Sequence, residues 1–290
     1  ESATVLKDYG ESDFTTDRTL SNNFHQTVTE KLMNRHKLSS NLRTKMVDWM
    51  CEVMSKYNCS GETFFLSISV MDLFIAKTPR ILTNNEIHLL GMVSMFVASK
   101  FEEVRPIYFK YLVEDIGHKA YPAEHYLMLE KELLNTIKIE NLVESSTYEF
   151  LKTFFFDLHE NNKNDIKLPI DKKFFEYVRE TAVFLSKVLA HFDSAYSNDY
   201  CEKAIGCISA GFKIVKEKRP NVVTPENESY FHDWEKFLCE QNGFNVEKMQ
   251  VFASQIVKTF NDYMSYKGIS YNLKKYFPLS YMKFKRPSMV

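Results

Sequence analysis

Glycine and proline are scarce in this chain of 290 residues, which has eight of each. Proteins built from many short strands need more turn residues than that, so a sheet fold is not expected. Hydrophobic residues make up 44% of the chain and charged residues 26%, which is typical of a soluble globular protein with a sizeable core. At this length we expect two helical domains of average size.

Sequence motifs for common enzyme chemistry are absent. The chain has no glycine-rich loop of the form GxxxxGK[ST] or GxGxxG, and no HExxH or GxSxG. Its five cysteines form neither a CxxC pair nor a Cys/His cluster at zinc spacing, so no metal or cofactor is expected. An odd cysteine count without a framework indicates reduced thiols, as in the cytoplasm or the nucleus. Binding is therefore a better expectation than catalysis.

The charge is nearly balanced, at −1 for the whole chain. No chain-wide basic field attracts nucleic acid, no apolar run approaches membrane-spanning length, and no secretory signal is visible. We therefore expect neither a membrane nor a direct nucleic-acid partner. Residues 263–290 differ, with six Lys or Arg and no Asp or Glu. We interpret them as a basic tail that solvates itself, with a specific anionic partner as the alternative.

Helical periodicity divides the chain into two sets of helices. After a short helix at residues 22–35, the first set is expected at 42–54, 64–76, 83–101, 108–116 and 122–137. The second set is expected at 147–158, 174–188, 200–218, 230–241 and 246–263. In both sets the third helix is rich in small residues and apolar on most faces, as a central buried helix is. Two related helical bundles are the economical interpretation.

Two charged residues occupy unusual helical positions. Glu130 has Tyr126, Leu127, Leu133 and Leu134 three and four positions away, so its carboxylate must find a cation or reach the rim of the helix. Lys100 closes the buried third helix. In one interpretation Lys100 binds the carbonyls at the helix end and Glu130 extends to solvent. In the other, both lie at the edge of an exposed groove that receives a partner.

Several motifs resemble those of one family. "LRTKMVDWM" from Leu42, "ASKFEE" from Ala98 to Glu103 and "LMLEKELL" from Leu127 to Leu134 resemble the cyclin box of A- and B-type cyclins. "TYEFL" from Thr147 resembles the opening of the second cyclin fold. The resemblance covers about residues 22–262.

The resemblance implies an all-α protein with two tandem five-helix cyclin folds and an N-terminal helix. The implied boundaries are 1–36 for the lead-in and first helix, 37–141 for the cyclin box, 142–262 for the second fold and 263–290 for the tail. It also implies a non-catalytic subunit that activates a cyclin-dependent serine/threonine kinase and controls the cell cycle, in the nucleus and cytoplasm.

Specific residues acquire roles from the resemblance. In the family, the residues that match Lys100 and Glu130 hydrogen-bond the kinase and help to push its C-helix inward. Phe101 and Glu102 belong to the same expected contact. Arg43 matches a buried arginine of the family that pairs with an aspartate of the next helix, here Asp72.

The exposed side of the Leu42 helix resembles the family's docking patch for Arg-x-Leu motifs in substrates and inhibitors. The matching positions are Leu42, Met46, Trp49 and Glu52. Lys45 stands where an aliphatic residue is usual, and His88 where a glutamine is usual. A cation there should repel the arginine of the motif, so altered specificity is expected.

A cyclin-fold transcription factor that binds DNA or the transcription machinery is the alternative. Such a protein contacts phosphates through a basic face. The near-neutral charge and the presence of both Lys100 and Glu130 argue against it.

Overall fold

The computed structural model of the chain describes residues 35–36, 38, 40–138, 146–164, 172–192 and 199–282, and this part of the chain contains helices and no β-strand. The all-α prediction is therefore confirmed. The short helix expected at residues 22–35 lies almost wholly outside the described residues.

The described residues form two compact units. One contains the residues up to Ser146 with Phe192, Asp199 and Tyr200, and the other contains Thr147–His191 and the residues from Cys201 onward. The helices of the first unit are α1 Ser40–Lys56, α2 Gly61–Lys77, α3 Glu86–Glu102, α4 Phe109–Tyr111 with a π-helical turn Leu112–Ile116, and α5 Ala123–Ile137. Next come α6 Thr147–Asn164, α7 Lys172–His191, α8 Tyr200–Lys218, a 3₁₀ turn Pro220–Val222, α9 Pro225–Gln241, α10 Val246–Ser265 and α11 Asn272–Tyr276. The domain boundaries at 36, 141 and 262 stay predictions.

The start of α9 differs from the expectation by five residues. The apolar pattern predicts a helix from Tyr230, but α9 begins at Pro225. Thr224 caps it, because its hydroxyl accepts a hydrogen bond from the Asn227 N–H at 3.2 Å. Proline at the first helical position has the right φ and lacks only an N–H that would be unsatisfied there. Capping chemistry, not periodicity, sets this boundary.

Helix α3 is the centre of the first unit. All of its residues from Leu90 to Ser99 are buried, and α1, α2 and α5 pack against it. Gly91 is required for the approach of α1, since a Cβ on it would lie 2.0 Å from the Met46 Cε. This confirms the sequence interpretation of a central helix with small residues at its contacts.

Helix α8 has the corresponding character in the second unit. Its residues from Ala204 to Phe212 are buried. A Cβ on Gly206 would lie 2.6 Å from the Phe252 ring of α10, so only glycine allows this contact. Phe212 stacks on Phe231 of α9 at 4.2 Å between ring centroids. The aromatic and small residues together close the core of this unit.

The segment that follows α10 is not a solvated tail over its described part. Ile269, Leu273, Leu279 and Tyr281 are buried. The hydroxyl of Tyr281 hydrogen-bonds the hydroxyl of Thr181 on α7, and burial raises the pKa of Tyr281 to about 12, so this hydroxyl stays protonated. The interpretation of residues 263–290 as a free basic tail is therefore wrong as far as Met282, because apolar side chains between the lysines anchor the chain.

Polar contacts hold the same segment, which we call the C-terminal segment (residues 266–282). Arg219 donates from Nη2 to the Tyr281 carbonyl at 2.7 Å. The Ser280 N–H and hydroxyl both donate to Glu180 Oε2, the N–H at 3.2 Å. The segment is therefore bound to α7 and to the end of α8.

A buried histidine connects the chain before α1 to the loop after α2. His36 is fully buried; its Nε2 contacts the Ile75 carbonyl at 2.7 Å, and its Nδ1 accepts from the Leu82 N–H at 3.2 Å. Because Nδ1 accepts from Leu82, a neutral ring carries its proton on Nε2, where it can be donated to the Ile75 carbonyl; the Arg35 Nη2 also lies 2.8 Å from Nε2 but cannot donate to it in that tautomer. Burial, and then the charges of Arg35 and Arg80, lower the pKa of His36 below its usual 6.5, although the Ile75 hydrogen bond opposes this.

This histidine should make the stability of the first unit depend on pH. Because the folded-state pKa is lowered, the stabilisation is fully present above pH 6.5 and is lost as the pH falls through the folded pKa. Each tenfold reduction in proton affinity corresponds to about 1.4 kcal/mol. Thermal unfolding of wild type and His36→Gln, from pH 7.5 to 5, measures this contribution as a difference. The gap between the two melting temperatures should narrow as the pH falls. A gap that stays constant would contradict the role of His36; His88, whose pKa is also lowered, cancels in the comparison.

Candidate functional site

Lys100 and Glu130 are brought together by the packing of α3 against α5. Lys100 lies in the last turn of α3, and its Nζ forms an ion pair with Glu130 Oε1. The Lys100 Nζ also lies 4.2 Å from the centroid of the Phe96 ring. The side chains are 42% and 14% exposed, so the pair stands at the surface with the carboxylate more sheltered. The Glu130 carboxylate, which lies among apolar neighbours on its own helix, is therefore paired with a cation.

Several apolar side chains that lie near this pair along α3, the following loop and α5 are unusually exposed. Phe101 follows Lys100 directly, and Val104, in the loop after α3, is 99% exposed. Leu127 lies one turn before Glu130 on α5 and is also exposed, as is its neighbour Met128. Glu102 is exposed beside Phe101. Exposed apolar residues grouped in this way indicate an interaction surface. We call these residues and the pair the α3–α5 surface.

The "ASKFEE" motif divides into inward and outward residues. Glu103, which the sequence interpretation did not assign, accepts hydrogen bonds from the Ser60 N–H at 2.6 Å and from the Thr63 hydroxyl. Ser99 donates to the Phe96 carbonyl at 2.9 Å and accepts from the Ile107 N–H at 3.2 Å. These two residues fix the end of α3 to the start of α2 and to the following loop. Lys100, Phe101 and Glu102 therefore stand on a rigid support.

Arg43 and Asp72 form a buried, bidentate ion pair between α1 and α2. Arg43 donates from Nε to Asp72 Oδ1 at 2.7 Å and from Nη2 to Oδ2 at 2.6 Å. The residues are only 4% and 8% exposed. Two parallel charged hydrogen bonds compensate for the loss of water around both groups.

The residues expected in the docking patch do not all lie at the surface. Lys45 and His88 are exposed, whereas Leu42, Trp49 and Glu52 are half-buried. Met46 is buried, so its expected place on the exposed side of the helix is wrong. The physical reason is Gly91, which leaves room for the Met46 side chain under α1.

An aromatic group covers part of this patch. The rings of Trp49 and His88 lie 5.0 Å apart, and those of His88 and Tyr121 lie 5.9 Å apart. Desolvation, and then the charge of His118, lower the pKa of His88. Tyr121 was missed from the sequence, because nothing in its neighbourhood there places it beside α1 and α3. The patch therefore combines an aromatic surface with the cation of Lys45.

None of the described helices is long and apolar enough to cross a lipid bilayer. Among the described residues there is also no group of three or more His, Cys, Asp or Glu side chains that could hold a metal ion.

Comparison with known proteins gives consistent results. Residues 15–140 match the family described as "Cyclin, N-terminal domain". Cyclin-B2-2 of Arabidopsis thaliana is 30% identical over 180 residues, which are 57% of this chain and 40% of that protein. S-phase entry cyclin-5 of Saccharomyces cerevisiae is 46% identical over 71 residues, 24% of this chain and 16% of that protein. The chain thus spans less than half the length of these two curated relatives.

Among solved structures, a chain in the structure titled as the CAK complex of Chaetomium thermophilum bound to ATP-γ-S has a TM-score of 0.52 at 12% identity. The match covers 91% of this chain and 83% of that one, and it supports the fold. The motifs around Arg43 and Lys100, the two helical units and the family match agree: residues 15–140 match the N-terminal domain of cyclins, and the chain as a whole is similar to cyclins.

Proposed function

We propose that this chain is a regulatory subunit that binds and activates a cyclin-dependent serine/threonine kinase, and that it has no catalytic activity of its own. The observation that carries the proposal is the α3–α5 surface. It presents an ion pair among exposed apolar side chains, on a helix end that Ser99 and Glu103 hold in place.

The mechanism follows from the chemistry of this surface. Phe101, Val104 and Leu127 lose contact with water when a kinase covers them, which favours association. Lys100 and Glu130 then direct their charged hydrogen bonds to polar groups of the kinase. A rigid surface pressed against the mobile C-helix of the kinase favours the inward position, in which the Lys–Glu pair of the kinase forms. Glu102 contributes at the edge of the contact.

The setting that we propose is control of the cell cycle, in the nucleus and the cytoplasm. The relatives that carry the similarity are named as an S-phase entry cyclin and as a B-type cyclin. The net charge of −1 disfavours the DNA-binding alternative, because binding to phosphates requires a basic face.

Reconstitution tests the proposal. The purified chain alone should phosphorylate no protein substrate, whereas the chain added to an inactive cyclin-dependent kinase should raise kinase activity and co-elute with the kinase. Phosphorylation by the chain alone would contradict the non-catalytic role. Failure to bind any member of a panel of cyclin-dependent kinases would contradict the proposal as a whole.

We also propose that the patch around Trp49 docks Arg-x-Leu-type substrates or inhibitors with altered specificity. Lys45 lies one turn before Trp49 on α1 and is exposed, while His88 lies against the Trp49 ring. A positive charge beside the ring disfavours the arginine of the motif and replaces apolar contact area.

Lys45→Ile should therefore strengthen the binding of an Arg-x-Leu peptide about tenfold. That change corresponds to about 1.4 kcal/mol, which the burial of one aliphatic side chain can supply. Titration of a fluorescent peptide measures it. Lys56→Ile, at the exposed end of the same helix, is the matched control and should leave the affinity unchanged. Equal affinities for wild type and Lys45→Ile would show that the patch does not dock this motif.

A further inference from the structure

A groove lies between α6 and α7, within the second unit. Its volume is about 480 Å³, in the range of protein sites that bind ligands. Buried Leu151 and half-buried Phe155 and Val183 line it. The Phe155 ring packs against the ring of Trp234, with ring centroids 5.4 Å apart. The groove is therefore apolar, and a packed core supports it.

The rim of the groove combines an aromatic side chain with positive charge. Phe156 is 62% exposed, although burial of a phenylalanine side chain away from water is favourable. Lys152 and Arg179 are the charged residues of the lining, and the described lining contains no carboxylate. Arg179 forms an ion pair with Glu176 on the same helix, with both side chains about half exposed. Glu176 accepts two hydrogen bonds from the Arg179 guanidinium, and Glu180 also lies near it, so an incoming carboxylate must compete with these groups of α7.

The shape of the groove discriminates between kinds of occupant. It is open to solvent and not an enclosed cavity. Sites for small molecules enclose most of the ligand surface, whereas an extended segment needs only an open groove in which to place alternate side chains. An apolar floor between two cations fits a segment in which bulky apolar side chains are flanked by carboxylates.

We infer that this groove docks an acidic, aromatic-rich peptide segment of a partner protein. The segment places its aromatic side chains against Phe155 and Phe156 and its carboxylates beside Lys152 and Arg179. The site is separate from the α3–α5 surface and from the Trp49 patch, since it shares no residue with either. It would therefore add a second docking point to a complex that the first unit forms with a kinase.

Two synthetic peptides test the inference with the full chain. One has the sequence Asp-Asp-Phe-Leu-Phe-Asp-Asp, and the other replaces each Asp by Lys; both carry a fluorophore for anisotropy measurements. We expect saturable binding of the acidic peptide and at least tenfold weaker binding of the basic one. Phe156→Ser and Lys152→Glu should each weaken binding of the acidic peptide at least tenfold, and Lys152→Glu should reduce the preference between the peptides.

Matched variants separate the groove from general surface effects. Phe237→Ser removes another exposed phenylalanine, from α9, and Lys258→Glu reverses an exposed charge on α10. Neither should change the affinity, and melting temperatures of all four variants should stay near that of wild type. Equal loss in groove and control variants, or equal binding of the two peptides, would overturn the inference. Sedimentation of the free chain tests whether the groove binds a second copy of this chain. Self-association that Phe156→Ser abolishes would show this and would overturn the peptide assignment.

Discussion

Replacing Lys100 and Glu130 together by alanine is expected to weaken binding of the kinase by orders of magnitude and to abolish its activation. Loss of charged hydrogen bonds at a largely desolvated interface costs roughly 2–5 kcal/mol. Since about 1.4 kcal/mol is a tenfold change, this corresponds to roughly thirty- to several-thousand-fold in affinity. The free chain should stay folded, because the pair lies at the surface and both charges are removed at once, so that no unpaired carboxylate is left in the sheltered position of Glu130.

The measurement is the affinity of the double variant for the kinase, with circular dichroism of the free chain. Lys216→Ala with Glu228→Ala is the matched control: it removes another exposed Lys–Glu pair between two helices, this time in the second unit. The control should bind and activate as wild type does. A folded Lys100/Glu130 variant with unchanged affinity would refute the assignment of the α3–α5 surface. An unfolded variant would show that the pair is structural.

Arg43→Ala is expected to destabilise the first unit by roughly 3–5 kcal/mol, because it leaves the Asp72 carboxylate buried without its bidentate partner. A loss of that size should lower the melting temperature by several degrees or more. Thermal unfolding followed by circular dichroism gives the shift. The loss of stability is this large because the Asp72 carboxylate stays buried without a partner, and that penalty exceeds the net stabilisation by the intact ion pair.

A double variant distinguishes the stranded charge from a general packing defect. Arg43→Met with Asp72→Leu replaces the pair by apolar side chains and should recover much of the lost stability, since buried ion pairs are often no more stabilising than such replacements. If Arg43→Ala melts within about a degree of wild type, the ion pair makes no net contribution. If the double variant is less stable than Arg43→Ala, the loss comes from packing and not from charge.

Local patterns predicted most of the fold. The helix expected at residues 200–218 is α8, Tyr200–Lys218, because its small and apolar residues leave few polar faces. The C-terminal segment was interpreted wrongly, since an excess of basic residues over acidic ones is conspicuous in a sequence and the burial of Leu273 or Tyr281 is not. Burial there depends on α7, which is distant along the chain.

In the candidate site, too, contacts between residues distant along the chain could not be predicted. The neighbours of Glu130 predict that its charge needs a partner, but no local pattern identifies Lys100, which lies 30 residues away and pairs with it in the structure. Helical spacing places Met46 in a buried stripe and only the family resemblance placed it in the docking patch; the structure buries it against Gly91. Tertiary contacts of this kind are beyond what periodicity can indicate.

The C-terminal segment has a consequence for biosynthesis. Thr181 and Tyr281 are joined by a hydrogen bond across 100 residues of chain. At about 5–20 residues per second, translation needs roughly 5–20 s to produce Tyr281 after Thr181. During that interval the face of α7 that receives Tyr281 has no native cover. The second unit of the nascent chain therefore completes its fold only after the C-terminal segment has emerged, whereas every described contact of the α3–α5 surface is within a stretch that is synthesised well before.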